Sequence, residues 1–142
     1  MIQRKQSIYL FIAALLNAGV FYFDLYKTHN VVNGADTLGQ LRVSDHYPSM
    51  LIVLVMTLLP LITIFMFGNR KRQLRMCFVS MLAIISFITL TLGRVGKIMP
   101  VPTSGNYWIG SILPAISFVF IILAILGIRR DEKLVKSVDR LR

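Results

Sequence analysis

Charge is scarce in this sequence, and acidic charge is scarcer still. Only 15% of the 142 residues are charged, against about 25% in an ordinary soluble domain. Six Asp and Glu stand against sixteen Lys and Arg. A chain so poor in charge keeps much of its surface away from water. Cysteine occurs once, at Cys77. A lone thiol forms no internal disulfide and no Cys-x-x-Cys redox or zinc site. Thiol chemistry linked to quinones needs a pair and is excluded with it; Cys77 reads as a small packing residue. The long apolar stretches lack Asp, Glu, Lys, Arg and His altogether. Proton and ion pathways in membranes almost always use such side chains, which argues against a pump or a coupled transporter. With no His in a span, a typical membrane cytochrome is also disfavoured. No Ser-His-Asp set and no Gly-rich phosphate loop stands out. His29, His46, Asp36 and Asp45 share one loop, but their spacing matches no metal-ligand pattern. The expectation is a protein that is not an enzyme, with no catalytic residue, metal or cofactor.

Apolar residues supply what is present, at 56% of the chain. Crossing about 30 Å of hydrocarbon takes about 20 mostly apolar residues. Four stretches meet or approach that length: 8–23, 50–67, 76–92 and 108–128. Tyr9, Tyr22, Tyr26, Tyr47, Tyr107 and Trp108 lie near their ends, where amphipathic rings favour the headgroup region. The predicted fold is an all-α membrane protein, a single domain built as an antiparallel bundle of four transmembrane helices. Arg4 and Lys5 ahead of Ile8 to Leu16 also have the form of a signal peptide, which ranks second.

The net charge of +10 has two ordinary readings, nucleic-acid binding and orientation in a membrane. Position decides between them. One side collects Arg4, Lys5, Arg70, Lys71, Arg72, Arg75, Arg129, Arg130, Lys133, Lys136, Arg140 and Arg142; the other has only Lys27, Arg42, Arg94 and Lys97. Lys and Arg favour cytoplasmic loops, so both termini are expected in the cytoplasm. Nucleic acid is left with one role, a basic face that touches ribosomal RNA.

The first outer loop, 24–48, contains Asn33-Gly34, a pair that tolerates positive φ and favours a hairpin turn. A small β-hairpin on the outer face is one reading of it. The second outer loop carries Pro100, Pro102 and Gly105 and is expected to be irregular. Pro60 and Pro114 fall inside helices two and four, where each removes a backbone donor and frees a carbonyl. Such a carbonyl in lipid needs a partner, and Thr57, Thr63, Ser111 and Ser117 are close in sequence. Asn17 is the most polar residue within a span. Ala14 and Ala18 flank it as a small-xxx-small pair, which reads as helix packing.

The distinctive residues are at the two ends. Glu132 and Lys136 form an i,i+4 pair, and Leu134, Val138 and Leu141 recur at helical spacing. Helix four is therefore expected to continue into a basic amphipathic tail that lies on lipid or docks a protein. The docking set comprises Gln3 and Arg4 at the start, Arg70, Lys71 and Arg72 between helices two and three, and Arg130, Asp131, Glu132, Leu134, Val138, Asp139 and Leu141 in the tail. Arg4 is expected to pair with Asp131, Glu132 or Asp139.

The opening residues Met1-Ile2-Gln3-Arg4-Lys5-Gln6-Ser7-Ile8-Tyr9-Leu10 and the closing run from Arg130 to Arg142 carry a resemblance. Both resemble small four-helix membrane proteins of Bacteroidota grouped as domain of unknown function four-two-nine-three. The resemblance implies the inner membrane of a Gram-negative bacterium and brings no activity, cofactor or catalytic residue with it. The expected function is an accessory or structural subunit of a larger inner-membrane complex, with membrane lipids and other membrane subunits as partners and no small-molecule substrate in evidence. The alternative is a small oligomeric channel, lipid-binding or transport protein.

Overall fold

Backbone polar groups in hydrocarbon are satisfied only within helices or closed sheets, and every long apolar stretch here is helical. The computed structural model describes residues 3–32, 35–98 and 105–139, with side chains for 5–28, 40–97 and 105–135. In chain order the elements are α1 (Gln3–Gly19), β1 (Tyr26–Val32), β2 (Ala35–Leu41), α2 (Tyr47–Phe65), α3 (Arg70–Ile98), β3 (Gly105–Tyr107) and α4 (Ile109–Asp139). Among the described residues, three helical segments, Tyr47–Phe65, Arg70–Lys97 and Ile109–Val135, are long and apolar enough to cross a membrane. α1 is shorter, with 17 residues.

Local chemistry sets the helix ends. His46 caps α2 by accepting the Ser49 N–H at Nδ1 (3.3 Å), and Pro48 fits the first turn, where no amide donor is needed. Asn69 opens α3, its Oδ1 accepting the Arg72 N–H at 3.2 Å. α4 continues through the former tail, because nothing from Ile128 to Asp139 breaks a helix. α1 ends at Gly19, four residues before the end of the expected span. Val20, Phe21 and Tyr22 follow in tight turns, donating to the carbonyls of Asn17, Ala18 and Gly19. The chain leaves the helix axis here and runs through the buried Asp24 and Leu25 into β1, with the Leu25 N–H donating to the Leu41 carbonyl at 2.8 Å.

That sheet makes the protein not purely helical. β1 and β2 pair antiparallel from Tyr26 opposite Leu41 to Val32 opposite Ala35. This is the expected hairpin, although Asn33 and Gly34 themselves lie outside the described residues. β3 then adds to the free edge of β1, giving the order β2-β1-β3. The connection between α3 and α4 therefore ends in a strand where irregular chain was expected. Residues 99–104, which hold both prolines, lie outside the described residues, and Gly105–Tyr107 is free to pair. Tyr107 meets Tyr26 edge-on at 5.2 Å between ring centroids.

α1 packs on α2 and α4, and α3 packs on the same two helices from the other side. The contacts run antiparallel. Gln6 meets Asp131 and Ser117 meets Ala13 between α1 and α4, while Gln73 meets Thr63 and Arg94 meets Ser49 between α2 and α3. Leu10, Ala13, Val53, Met56, Ile84, Phe87, Ile121 and Ala124 fill the centre. Large apolar side chains such as Leu15, Leu51, Phe65, Leu82 and Leu126 point outward, the arrangement that suits a lipid solvent.

Candidate functional site

One face of α1 carries Gln6, Leu10, Ala13 and Asn17, at helical spacing, and all four are buried. The first of them reaches across to α4. Gln6 Nε2 donates to Asp131 Oδ2, and both side chains are buried. Arg70, at the start of α3, donates through Nη1 to the backbone carbonyl of Asp131 at 2.8 Å. Gln73 Nε2 donates to the Thr63 carbonyl of α2 at 3.4 Å. All four helices are thus tied together at this end. The second carboxylate oxygen, Asp131 Oδ1, is buried without a hydrogen-bond partner.

Gly127 makes the approach of α1 to α4 possible, since a Cβ there would lie 2.9 Å from Gln6 Cγ. Beside the contact runs a groove of about 510 Å³, walled by Lys5, Gln6 and Tyr9 on α1 and by Leu123, Leu126, Gly127, Arg130, Asp131 and Leu134 on α4. Arg130, Lys71 and Arg72 are exposed and Glu132 is half-buried. Arg129 sits 6.0 Å from the Phe78 ring. The side chains of Gln3, Arg4, Val138 and Asp139, and all of Leu141, lie outside the described residues. So does the expected pairing of Arg4.

A second polar joint lies midway along the helices. Asn17 Nδ2 donates to the Met56 carbonyl at 2.7 Å. That carbonyl is the one Pro60 frees, four residues on in α2. The sequence suggested Thr57 and Thr63 for this role. Instead Thr57 bonds the Val53 carbonyl and Thr63 the Leu59 carbonyl, each at 2.7 Å on its own helix. A hydroxyl one turn from a proline reaches its own i−4 carbonyl more readily than the freed one. At Pro114 the expected hydroxyls are also engaged elsewhere, but across segments rather than on their own helix. Ser111 Oγ donates to the Leu25 carbonyl and Ser117 Oγ to the Ala13 carbonyl (3.2 Å), so both join α4 to other segments. Ala14 is buried and Ala18 half-buried beside Asn17, whose Oδ1 has no partner.

The opposite end is closed by the sheet. Asp24, buried, accepts Arg42 Nε at 2.6 Å and lies 3.3 Å from Lys27 Nζ. The Arg42 guanidinium, followed by Lys27, holds the Asp24 carboxyl below its ordinary range, against the opposing effect of burial. Lys27 Nζ also sits 4.2 Å from the centre of the Trp108 ring. The backbone of Asp24 and Leu25 clamps the start of α4, accepting from Gly110 N (3.1 Å) and Trp108 N (3.0 Å). His46 is engaged as the α2 cap, and the side chains of His29 and Asp36 lie outside the described residues. Cys77 is buried in the core.

Sequence reasoning included Asp131 but missed Gln6, Gly127 and the Asp24 cluster. The helical period carried a signal for the first. Gln6 falls in line with Leu10, Ala13 and Asn17, whereas Arg4 does not. No curated protein matches this chain. A family model described as a domain of unknown function, DUF4293, matches residues 2–141, and the chain belongs to that family.

Proposed function

We propose that the protein is a non-enzymatic accessory subunit of a larger assembly in a bacterial inner membrane, which it crosses four times with both ends in the cytoplasm. The observation that carries this reading is the Gln6–Asp131–Arg70 contact, which joins the start of α1, the end of α4 and the start of α3 into one polar surface. Arg70, Lys71, Arg72, Arg75, Arg129, Arg130 and Lys133 surround that surface, while Lys27, Arg42, Arg94 and Lys97 lie toward the sheet end; the bias supports a cytoplasmic position for the joined ends. The fourth pass rests on α1 lying antiparallel along α4, from Asp131 at one end to the Asp24–Gly110 contact just past the other.

A channel reading needs polar side chains along one open path. The described hydroxyls of α3 favour the subunit reading instead, because Ser80, Ser86, Thr89 and Thr91 each donate to the carbonyl four residues back on their own helix. The test is to purify the tagged native chain in mild detergent and identify what accompanies it by mass spectrometry. A stoichiometric membrane partner is expected with the native chain and lost with Gln6→Leu. Recovery of the chain alone at monomer size counts against the subunit reading. Maleimide labelling of single cysteines at positions 27 and 133, in a Cys77→Ser background, reads the orientation.

A further inference from the structure

The groove between α1 and α4 changes character along its length, and both walls change in the same direction. On α4, Leu123 and Leu126 come first and Arg130, Asp131 and Leu134 follow, over about 16 Å at 1.5 Å per residue. On α1, running the other way, Tyr9 faces the apolar half and Lys5 the polar half. Tyr9 is fixed there by its contact with Phe120, 6.3 Å between ring centroids. The Asp131 carboxylate in the groove wall is buried: Oδ2 takes the Gln6 amide and Oδ1 is out of contact with solvent. Lys5 and Arg130 are exposed and have no carboxylate partner among the described residues. What the groove offers is therefore two cations with no carboxylate partner among the described residues, above an apolar trough, at the end of a helix suited to lipid.

We infer that this groove binds one anionic glycerophospholipid, with its phosphate between Lys5 and Arg130 and an acyl chain along Tyr9, Leu123 and Leu126. A soluble anion leaves the apolar half in contact with water, and a neutral apolar molecule leaves both cations unmatched. A phospholipid satisfies both halves at the depth where each is placed. The volume of about 510 Å³ falls within the few hundred to about 1,000 Å³ of ordinary ligand sites. The inference uses the membrane reading of α4 and is independent of any docking partner.

The test uses the purified full-length chain, offered phosphatidylglycerol or phosphatidylcholine, with retained lipid counted by native mass spectrometry. One phosphatidylglycerol per chain is expected, preferred over phosphatidylcholine by about tenfold or more, since each nearby cation contributes about 1 kcal/mol toward an anionic headgroup. Lys5→Ala with Arg130→Ala abolishes the preference, and Lys5→Arg with Arg130→Lys keeps it. Arg129→Ala with Lys133→Ala removes the same charge from positions outside the groove and leaves retention unchanged. Equal losses in the two alanine pairs mean general attraction to a basic surface and overturn the site. Competition by glycerophosphoglycerol, the headgroup without chains, also overturns it by revealing a soluble-anion site. So does a photo-crosslinker at position 126 that captures protein in cells rather than phospholipid. Because the lipid count is made without any partner, its failure leaves the subunit reading standing, and the reverse holds as well.

Discussion

Among the described residues, each end of the helix bundle buries one aspartate, and the two are held differently. Asp24, just ahead of β1, faces a guanidinium and an ammonium, and its own backbone clamps the first turn of α4. Asp131, at the other end, meets a neutral amide, and one of its oxygens has no partner. The first end is built from backbone against backbone, and a three-stranded sheet accompanies it. The second is built from side chains and opens on a groove. A closed end and an adaptable end on one scaffold suit the proposed division of labour, in which the sheet end fixes the helices and the opposite end takes the proposed partner and lipid.

The sharpest way to break the comparison is to add one methyl group to each end. A Cβ at Gly110 would lie 2.6 Å from the Asp24 carbonyl oxygen, which belongs to a clamped backbone and cannot yield. A Cβ at Gly127 presses on the Gln6 side chain, 2.9 Å from Cγ, and a side chain yields more readily than a clamped backbone. Gly110→Ala should cost about 3 kcal/mol and Gly127→Ala about 1 kcal/mol, the upper and lower ends of the usual overpacking range. Thermal unfolding read by dye labelling of the buried Cys77 thiol checks both, and equal losses would erase the distinction between the ends. Next in size is Gln6→Leu, which removes the donor to a buried carboxylate. A loss of about 2 kcal/mol is expected, and Asp131→Leu in the same chain should recover part of it.

Asn17→Leu tests the joint between the two ends. It leaves the Met56 carbonyl unpaired, and hydrogen bonds between membrane helices are worth about 0.6 kcal/mol on average and up to about 1.7 kcal/mol. A shift of about 1 kcal/mol in the same assay is expected, and none at all would mean that the carbonyl finds another partner. The smallest effect belongs to Asp24→Asn, because Arg42 remains in contact with water and its pairing is screened. The Asp24 carboxyl is held below its ordinary value, so the stabilisation it gives is present above the unfolded value and fades as pH falls through the folded one. Native chain and variant should differ slightly in melting temperature at neutral pH and converge below the ordinary carboxylate range. A difference that widens in acid would contradict the assignment.

The helices were legible because long uncharged apolar runs admit little else, and Asn33-Gly34 announced a hairpin. The strand at Gly105–Tyr107 was not legible. Three residues have no periodicity to read, and their pairing is set by β1, some eighty residues earlier in the chain. The polar joints were half legible. Asn17 and Pro60 each stood out, but nothing local says that the amide on one helix completes the carbonyl freed on another. At the groove end, attention to charge selected Arg4 over Gln6. The helical period places Gln6 on the buried face, where it meets Asp131, while the pairing of Arg4 lies outside the described residues. The Asp24 cluster depends on Arg42 lying across the strands from Asp24, a separation that sequence spacing alone does not bridge.

The Asn17–Met56 bond also bears on how the chain is made. α2 carries in Pro60 a fault that its own hydroxyls do not mend, and the repair is stored on α1. Synthesis delivers α1 first, so the mending amide is already in place when Met56 arrives. A ribosome that released the two helices in the opposite order would leave α2 in lipid with an open carbonyl. The order of the segments along the gene is then part of the folding instruction, and a circular permutation that placed α1 last should insert poorly even with every native contact still available.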